Sequence, residues 1–342
     1  MIDSSFTVLQ ENDDWMPYMK YFTKLDVYYS KEYVSLFAQK ENGVPEAVYY
    51  EQDGQRFFYP YIKREITDGL YDIVTPYGYG GPIWSTDVHH EIVSHFEKSF
   101  SHYCQLNNII TETIRFHPLL QNENDLHHHI KIEYIRKTTA VDLTQSLDLI
   151  RSQYSSTNKR NIKKAIRSNL EIVRLESESD MDTFMSLYEE TMNRNSALNY
   201  YYFDRDHFNQ LMKPTKWCTP YLLGAKHKGE VIAAAILLMG PQNAHYHLGA
   251  SRTSTLSLRP NNLLFDKMIQ FAKEKGAETL HLGGGYQEND GLFAFKSAFT
   301  GNNHFSYYIG KKVHNEVVYR ILTEKKGSST SQRPHFFPAY RA

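Results

Sequence analysis

The sequence predicts an α/β protein of two domains, and three observations carry that prediction. A chain of 342 residues is longer than one ordinary hydrophobic core organises. β-prone runs alternate with segments of helical period along its whole length. The two halves also echo each other, each reading as helix, meander of strands, then helix and strand, although no residue-level repeat is visible. The expected division is a first domain over residues 1–145, a second over residues 146–325, and a partly flexible tail over residues 326–342 whose end docks on the first domain.

In the first half, Ser30 caps a helix over residues 31–39. Residues 47–51 and 56–62 flank Asp53-Gly54 and form a β-hairpin. Residues 75–82, TPYGYGGP, hold three glycines and two prolines, which excludes regular structure and forces a shaped loop. Two readings fit that loop: a tight connection between layers, or a cleft wall lined by Tyr77 and Tyr79. An amphipathic helix over residues 89–106 and a strand over residues 109–116 follow. A polar loop then precedes β structure over residues 132–143.

In the second half, Ser155 caps a helix over residues 158–168, with Asn169 as a left-handed stop. Lys159, Arg160, Lys163, Lys164 and Arg167 form two basic stripes at i, i+4 spacing with no acid on the helix to offset them. Like charges at that spacing cost a few tenths of a kcal/mol per pair, which favours an anionic partner. A strand over residues 170–175, helices over residues 180–195 and 206–212, and three strands over residues 217–225, 231–239 and 244–249 lead to the most informative stretch. There, Pro260 opens a helix, Gly276 stops it, and residues 279–282 form a short strand. Gly283-Gly284-Gly285 end that strand where a backbone or ligand comes close. His245 and His247 share one face of their strand and line a pocket. Residues 305–310 and 317–322 close the domain.

Composition limits the partners. Charged residues make up 23% and hydrophobic residues 41%, and 38 Lys and Arg against 39 Asp and Glu leave a net charge of −1. A protein coating nucleic acid over its whole surface is basic, so RNA or an anionic donor must meet a local patch. The acidic N-terminus lacks the pattern of a signal peptide. No run approaches the ~20 apolar residues of a membrane span. A cytoplasmic protein is expected, with any membrane contact peripheral. Cys104 and Cys218 read as reduced, packed thiols. The consecutive His127, His128 and His129 cannot converge on one ion from regular structure, so no metal site is expected.

Several motifs in order resemble the FemABX-like acyltransferases of the GNAT superfamily. They are residues 154–165 (YSSTNKRNIKKA), residues 259–264 (RPNNLL) before the long helix, Leu282-Gly283-Gly284-Gly285, and residues 291–299 (GLFAFKSAF). The loop at residues 75–82 and the ending FFPAYR resemble a branch associated with envelope-polysaccharide biosynthesis. The resemblance spans nearly the whole chain. It implies two tandem GNAT-like α/β domains with a cleft between them. It also implies transfer of an acyl or aminoacyl group to an amine on a cell-envelope precursor, small or lipid-linked, such as an amino sugar, nucleotide sugar or stem peptide. The donor would be acyl-CoA or aminoacyl-tRNA, bound as co-substrate with no permanent cofactor. Two departures leave the donor open. No sustained heptad pattern marks the coiled-coil insertion of some tRNA-dependent members, and the Arg/Gln-x-x-Gly-x-Gly/Ala loop of acetyl-CoA enzymes is absent before Pro260.

Acyl transfer to an amine requires a neutral nucleophile, oxyanion stabilisation and a route for one proton. No Gly-x-Ser-x-Gly or Cys/His constellation is present, so direct attack is favoured over an acyl-enzyme. The candidate catalytic groups are Lys296, for phosphate or oxyanion, and Asp290 or Glu288, for the amine proton. Lys296 reads equally as an exposed helix lysine, and Asp290 equally as a helix cap. Donor contacts are expected from Arg259, Asn261, Asn262, Gly283, Gly284, Gly285, Lys159, Arg160, Lys163 and Lys164. Acceptor contacts are expected from Tyr77, Tyr79, Tyr246 and His247. A reading of a different class is a glycan- or peptide-binding protein that keeps the fold without transfer.

Overall fold

The computed structural model describes residues 4–85, 88–326 and 336–342. It divides into two compact units, Met1–Ile135 with Ser306–Ala342, and Arg136–Phe305. Residues 327–335 of the tail expected to be partly flexible lie outside the described residues.

The first unit runs β1 (Ser4–Leu9), α1 (Met16–Met19), α2 (Lys31–Lys40), β2 (Gly43–Gln52), β3 (Gln55–Thr67), β4 (Leu70–Val74), β5 (Ile83–Trp84), α3 (His90–Leu106) and β6 (Ile109–Arg115). Strand β7 (Lys131–Asp142) then leads into the second unit. The β2–β3 turn is the expected hairpin, with Asp53 and Gly54 both at positive φ (50° and 77°) as a type I′ turn requires. Strands β1 to β4 are antiparallel, and β4 pairs in parallel with β6 after crossing through α3. Aromatic rings fill the core between sheet and helix: Phe57 stacks on Phe96 at 4.7 Å, and Phe96 on Phe100 at 5.9 Å.

The second unit runs α4 (Leu147–Ser152), α5 (Ser156–Arg167), β8 (Glu171–Leu175), α6 (Glu178–Arg194), α7 (Arg205–Leu211), β9 (Thr219–His227), β10 (Glu230–Met239), β11 (Asn243–Ser251), α8 (Pro260–Glu274), β12 (Thr279–Gly284) and α9 (Gly291–Ser297). Its sheet order is β7-β12-β11-β10-β9-β8. All neighbours are antiparallel except β11 and β12, which α8 connects and which are parallel. Each unit therefore ends an antiparallel meander with one helical crossover to a parallel strand. Ser155 and Ser177 cap α5 and α6, the latter with a reciprocal bond from Asp180, and Asn169 and Gly276 take the left-handed stop positions. The sequence reading missed α4, a six-residue helix too short to display a period.

Strand β13 (His304–Val313) leads back to the first unit, followed by α10 (Glu316–Lys326). Sequence reasoning placed residues 306–325 in the second domain, whereas here they belong to the first unit. The reason is side-chain chemistry that a linear reading cannot see. Lys312 reaches Glu97 at 2.7 Å, His314 meets Glu112 at 3.2 Å, and β13 pairs antiparallel with β6. Residues 317–322 are helical, with Leu322 packed against Ile110 and Tyr340.

Candidate active site

The parallel ladder between β11 and β12 is short. It pairs Asn243, Ala244 and His245 with Thr279, Leu280 and His281, and there it stops. Both strands continue, β11 to Ser251 and β12 to Gly284, so they separate beyond His245. On its other side β11 carries a bulge: Tyr246 opposes Leu237 while Leu248 opposes Ile236, making His247 the inserted residue. That bulge resets the alternation on which a shared face for His245 and His247 relied. Burial, then the neighbouring His207 and His245, lowers the His247 pKa to about 3, so its ring is neutral at physiological pH.

Tyr246 lies beyond the point of separation. Its ring rests on Phe265 of α8 at 4.7 Å, and its hydroxyl extends over Gly249, where a Cβ would stand 2.1 Å from the oxygen. Across from it, α9 places the Lys296 ammonium 5.2 Å from the Tyr246 ring centroid and donates it to the Gly284 carbonyl at 2.7 Å. Lys296 is only 6% exposed. Burial, reinforced by the nearby Arg136 charge and opposed by Asp290, brings its pKa down from 10.5 to about 7. An exposed helix lysine was one reading of this residue; the structure shows a desolvated amine poised between charge states.

The carboxylates have other work. Asp290 is the N-cap of α9: one oxygen accepts the Phe293 N–H at 2.8 Å, and the other accepts those of Tyr286 and Gln287 at 2.6 and 3.0 Å. Burial pulls its pKa up, but the backbone donors outweigh burial and hold it below the usual carboxylate range. A carboxylate so stabilised in its charged form is a weak base, which corrects the role expected for Asp290. Glu288 is exposed and accepts the Lys137 N–H at 3.1 Å, tying the turn to β7. Asp290→Ala is therefore expected to cost about 1 kcal/mol of stability, as loss of a cap does, while kcat falls by less than about threefold, well short of a lost general base. Denaturant titration alongside steady-state rates checks both halves.

The three glycines answer to the chain's own packing. Gly283 takes φ of 75°, a Cβ on Gly284 would stand 2.7 Å from the Lys137 carbonyl, and one on Gly285 would meet the Asp290 carboxylate at 1.9 Å. Their contribution to the site is the Gly284 carbonyl that holds Lys296.

At the entry to α8, Arg259 is exposed, in the left-handed region at φ 64°, and makes no side-chain cap. Pro260 has no N–H to offer, and the Asn262 N–H turns back to the Arg259 carbonyl at 3.2 Å. Asn261 reaches Ser251 Oγ at 3.3 Å, and buried Asn262 donates to Asn158 of α5 at 2.8 Å. Asn262 thus joins two helices instead of facing a donor. Sequence reasoning also missed Asp266, one turn further along α8, which Arg151 grips with two bonds of 2.8 and 2.9 Å. Asn262 and Asp266 occupy i and i+4, a polar stripe legible on a helix otherwise apolar over that face.

On α5, Lys159 caps the Ser152 carbonyl at 2.7 Å and Arg160 reaches Thr157 at 3.2 Å, while Lys163, Lys164 and Arg167 are exposed. No acidic side chain pairs with any of the five among the described residues. Tyr77 and Tyr79, in the first unit, are half-buried: Tyr77 stacks on Phe37 at 5.4 Å, and Tyr79 packs edge-on against Tyr28 at 5.4 Å and Tyr307 at 5.5 Å.

Residues 152–297 match the family model described as Acetyltransferase (GNAT) domain. That match lies within the second unit. The chain is 30% identical over 118 residues to Lipid II:glycine glycyltransferase from Staphylococcus haemolyticus (strain JCSC1435), a match covering 32% of this chain and only 28% of the relative's length. The crystal structure of FemX superposes with a TM-score of 0.71 at 13% identity, covering 92% of this chain and 99% of FemX. A tandem GNAT protein from the clavulanic acid biosynthesis pathway superposes at 0.53 and 9% identity, covering 90% and 98%. The chain thus shares the fold of FemX over 92% of its length, as the FemABX-like motifs implied. No described helix is long and apolar enough to cross a membrane.

Proposed function

We propose that the chain is an N-acyltransferase that moves an aminoacyl group from an RNA-borne ester to an amine on a cell-envelope precursor, with Lys296 as its proton carrier. The observation that carries this reading is the buried Lys296 amine, with a pKa of about 7, beside the opening between β11 and β12. An acceptor amine arrives largely as ammonium. Neutral Lys296 takes its proton, and the freed amine attacks the ester carbonyl. The protonated lysine then faces the tetrahedral oxyanion. As the C–N bond forms and the ester C–O bond breaks, the lysine's proton passes to the leaving hydroxyl oxygen. The lysine, neutral again, takes the second proton from the new amide nitrogen and releases it to solvent. A binding protein without transfer gains nothing from burying an amine in this state, since desolvation only destabilises it.

Two features support an RNA ester over a thioester of coenzyme A. In the segment before α8 the amides of Ser251, Arg252, Thr253, Thr255 and Arg259 are already bonded within the protein, and α5 presents cations with no acidic partner among the described residues. The match to Lipid II:glycine glycyltransferase supports an envelope precursor as acceptor. The test supplies amine acceptors from the envelope pathway with aminoacyl-tRNA or with acyl-CoA and follows acceptor mass. The expected result is a mass increase with aminoacyl-tRNA. Transfer from acyl-CoA alone would overturn the donor assignment, and no transfer with either would overturn the function. Binding to tRNA should also weaken steeply with salt, and neutralising Lys163, Lys164 and Arg167 together should remove about three units of that slope.

A further inference from the structure

We propose that Arg136 is a positioning residue for the transfer step: its guanidinium, fixed across Gly284 from the Lys296 ammonium, favours the neutral amine that takes the acceptor's proton. The inference rests on the proton-carrier reading of Lys296 above. Its basis is the way β7 runs beside the end of β12, where Thr138 pairs with Gly284 and Thr139 with Gly283. That register brings Arg136 over the turn that follows, and its Nη1 donates to the Tyr286 carbonyl at 2.7 Å. Arg136 Nε stands 3.6 Å from where a Cβ on Gly284 would be, while Lys296 Nζ donates to the carbonyl of the same glycine at 2.7 Å. Two cations therefore flank one residue that has no side chain to set between them.

The carbonyl that holds Arg136 is neutral, so that bond fixes the guanidinium without cancelling its charge. A guanidinium does not surrender its proton in this range, so the repulsion is relieved at Lys296. The other groups around the amine leave that balance in place. Burial keeps Tyr246 of β11 and Tyr286 of the turn protonated. Asp290 opposes Arg136, but its carboxylate is already engaged by three backbone N–H groups, and it acts on Lys296 more weakly than Arg136 does. His304, bonded to Ser297 Oγ of α9 at 3.1 Å, is held below its ordinary pKa by burial and then by the Lys137 charge, and is neutral at pH 7. Helix α8 faces α9 with the ring of Phe265, against Phe295 and Phe299. Burial alone makes the ammonium costly; Arg136 adds a charge that a substitution can remove. Once Lys296 has taken the proton, the same repulsion favours passing it on to the leaving oxygen.

Arg136→Gln separates charge from position, since the amide still offers a donor to the Tyr286 carbonyl, whereas Arg136→Lys keeps the charge. NMR titration of the full chain carrying ¹³Cε-labelled lysine reads the amine without any substrate, the Lys296 signal being assigned by its loss in Lys296→Met. The midpoint is expected to rise by at least about half a pH unit in Arg136→Gln, roughly a threefold change in the ionisation constant, and to stay within about 0.2 of the wild type in Arg136→Lys. The ascending limb of the pH–rate profile should move with it. Should the glutamine variant not fold, Arg136→Met, uncharged and of similar reach, gives the same comparison. An unmoved midpoint in the uncharged variant, or an equal rise in Arg136→Lys, would overturn the inference. Transfer by Lys296→Met, measured in parallel, keeps the two readings apart. An inactive Lys296→Met with an unmoved midpoint defeats only the role of Arg136, whereas an active Lys296→Met, or a wild-type midpoint near the ordinary lysine value, defeats the proton-carrier reading as well.

Discussion

Lys296→Met abolishes transfer and leaves the fold at least as stable as the wild type. The loss in kcat is expected to be about 10²-fold or more, the usual worth of a positioned acid–base group. The stability result follows from the same burial. Folding lowers the lysine pKa from 10.5 to about 7, so between those values the unfolded chain holds more protons than the folded one. Wild-type stability from this group therefore rises with pH across that window, and at pH 7 and below the desolvation penalty is present in full. A methionine of similar length removes the penalty and keeps the packing against Tyr246. Thermal melts from pH 6 to 10 should show the wild-type and variant curves converging as pH rises. The wild-type pH–rate profile should show an ascending limb near pH 7. If Lys296→Met kept more than a tenth of wild-type activity, or melted well below the wild type at pH 7, the amine would not be the proton carrier.

The second large effect lies in the first unit and bears on stability. Asp72 has no exposed surface. One oxygen takes Arg64 Nε at 2.8 Å, the other takes Arg341 Nε at 2.8 Å, and the Tyr340 hydroxyl reaches it at 3.2 Å. Tyr340 also bonds Thr111 on β6 at 2.6 Å, so the chain's last residues are fastened to the sheet through one carboxylate. Asp72→Ala removes one of the two counter-charges of the largely buried Arg64, leaving Glu41 at 2.6 Å, and strips Arg341 and Tyr340 of their shared acceptor. The expected cost is about 3–5 kcal/mol, as for removal of one partner of a buried ion pair. Arg341→Ala, on the more exposed arm, should cost about 1 kcal/mol, nearer the value of a surface pair. Urea denaturation followed by tyrosine fluorescence reads both, and equal small losses for the two variants would refute this account of the tail.

Much of the fold was legible because it is governed by local rules. The Asp53-Gly54 hairpin, the serine caps of α2 and α5, the Pro260 start and the Gly276 stop all depend on residues within a few positions of one another. The crossover from β11 through α8 to β12 was likewise legible as a strand, a long amphipathic helix and a short strand. Lys296 stood out only as a residue in a motif, with its exposure undecided, and Asp290 had two readings that the residues alone could not separate.

What the sequence determined by itself is the order of elements, the FemABX-like motif set and the cluster of chemistry at residues 283–296. Tertiary structure decided the roles within that cluster. Burial is a property of what packs around a side chain, so only the fold could make Lys296 a neutral-range amine. Three backbone N–H groups converging on Asp290 could be counted only once the turn was closed, and they made it a cap. The glycines, read as a place where a backbone or ligand comes close, leave space that the Lys137 carbonyl and the Asp290 carboxylate occupy at Gly284 and Gly285. The return of β13 and α10 to the first unit, likewise, rests on pairs such as Lys312 with Glu97, more than two hundred residues apart. Charge complementarity at that separation leaves no periodic trace in a sequence, and it becomes visible only when the chain has folded back on itself.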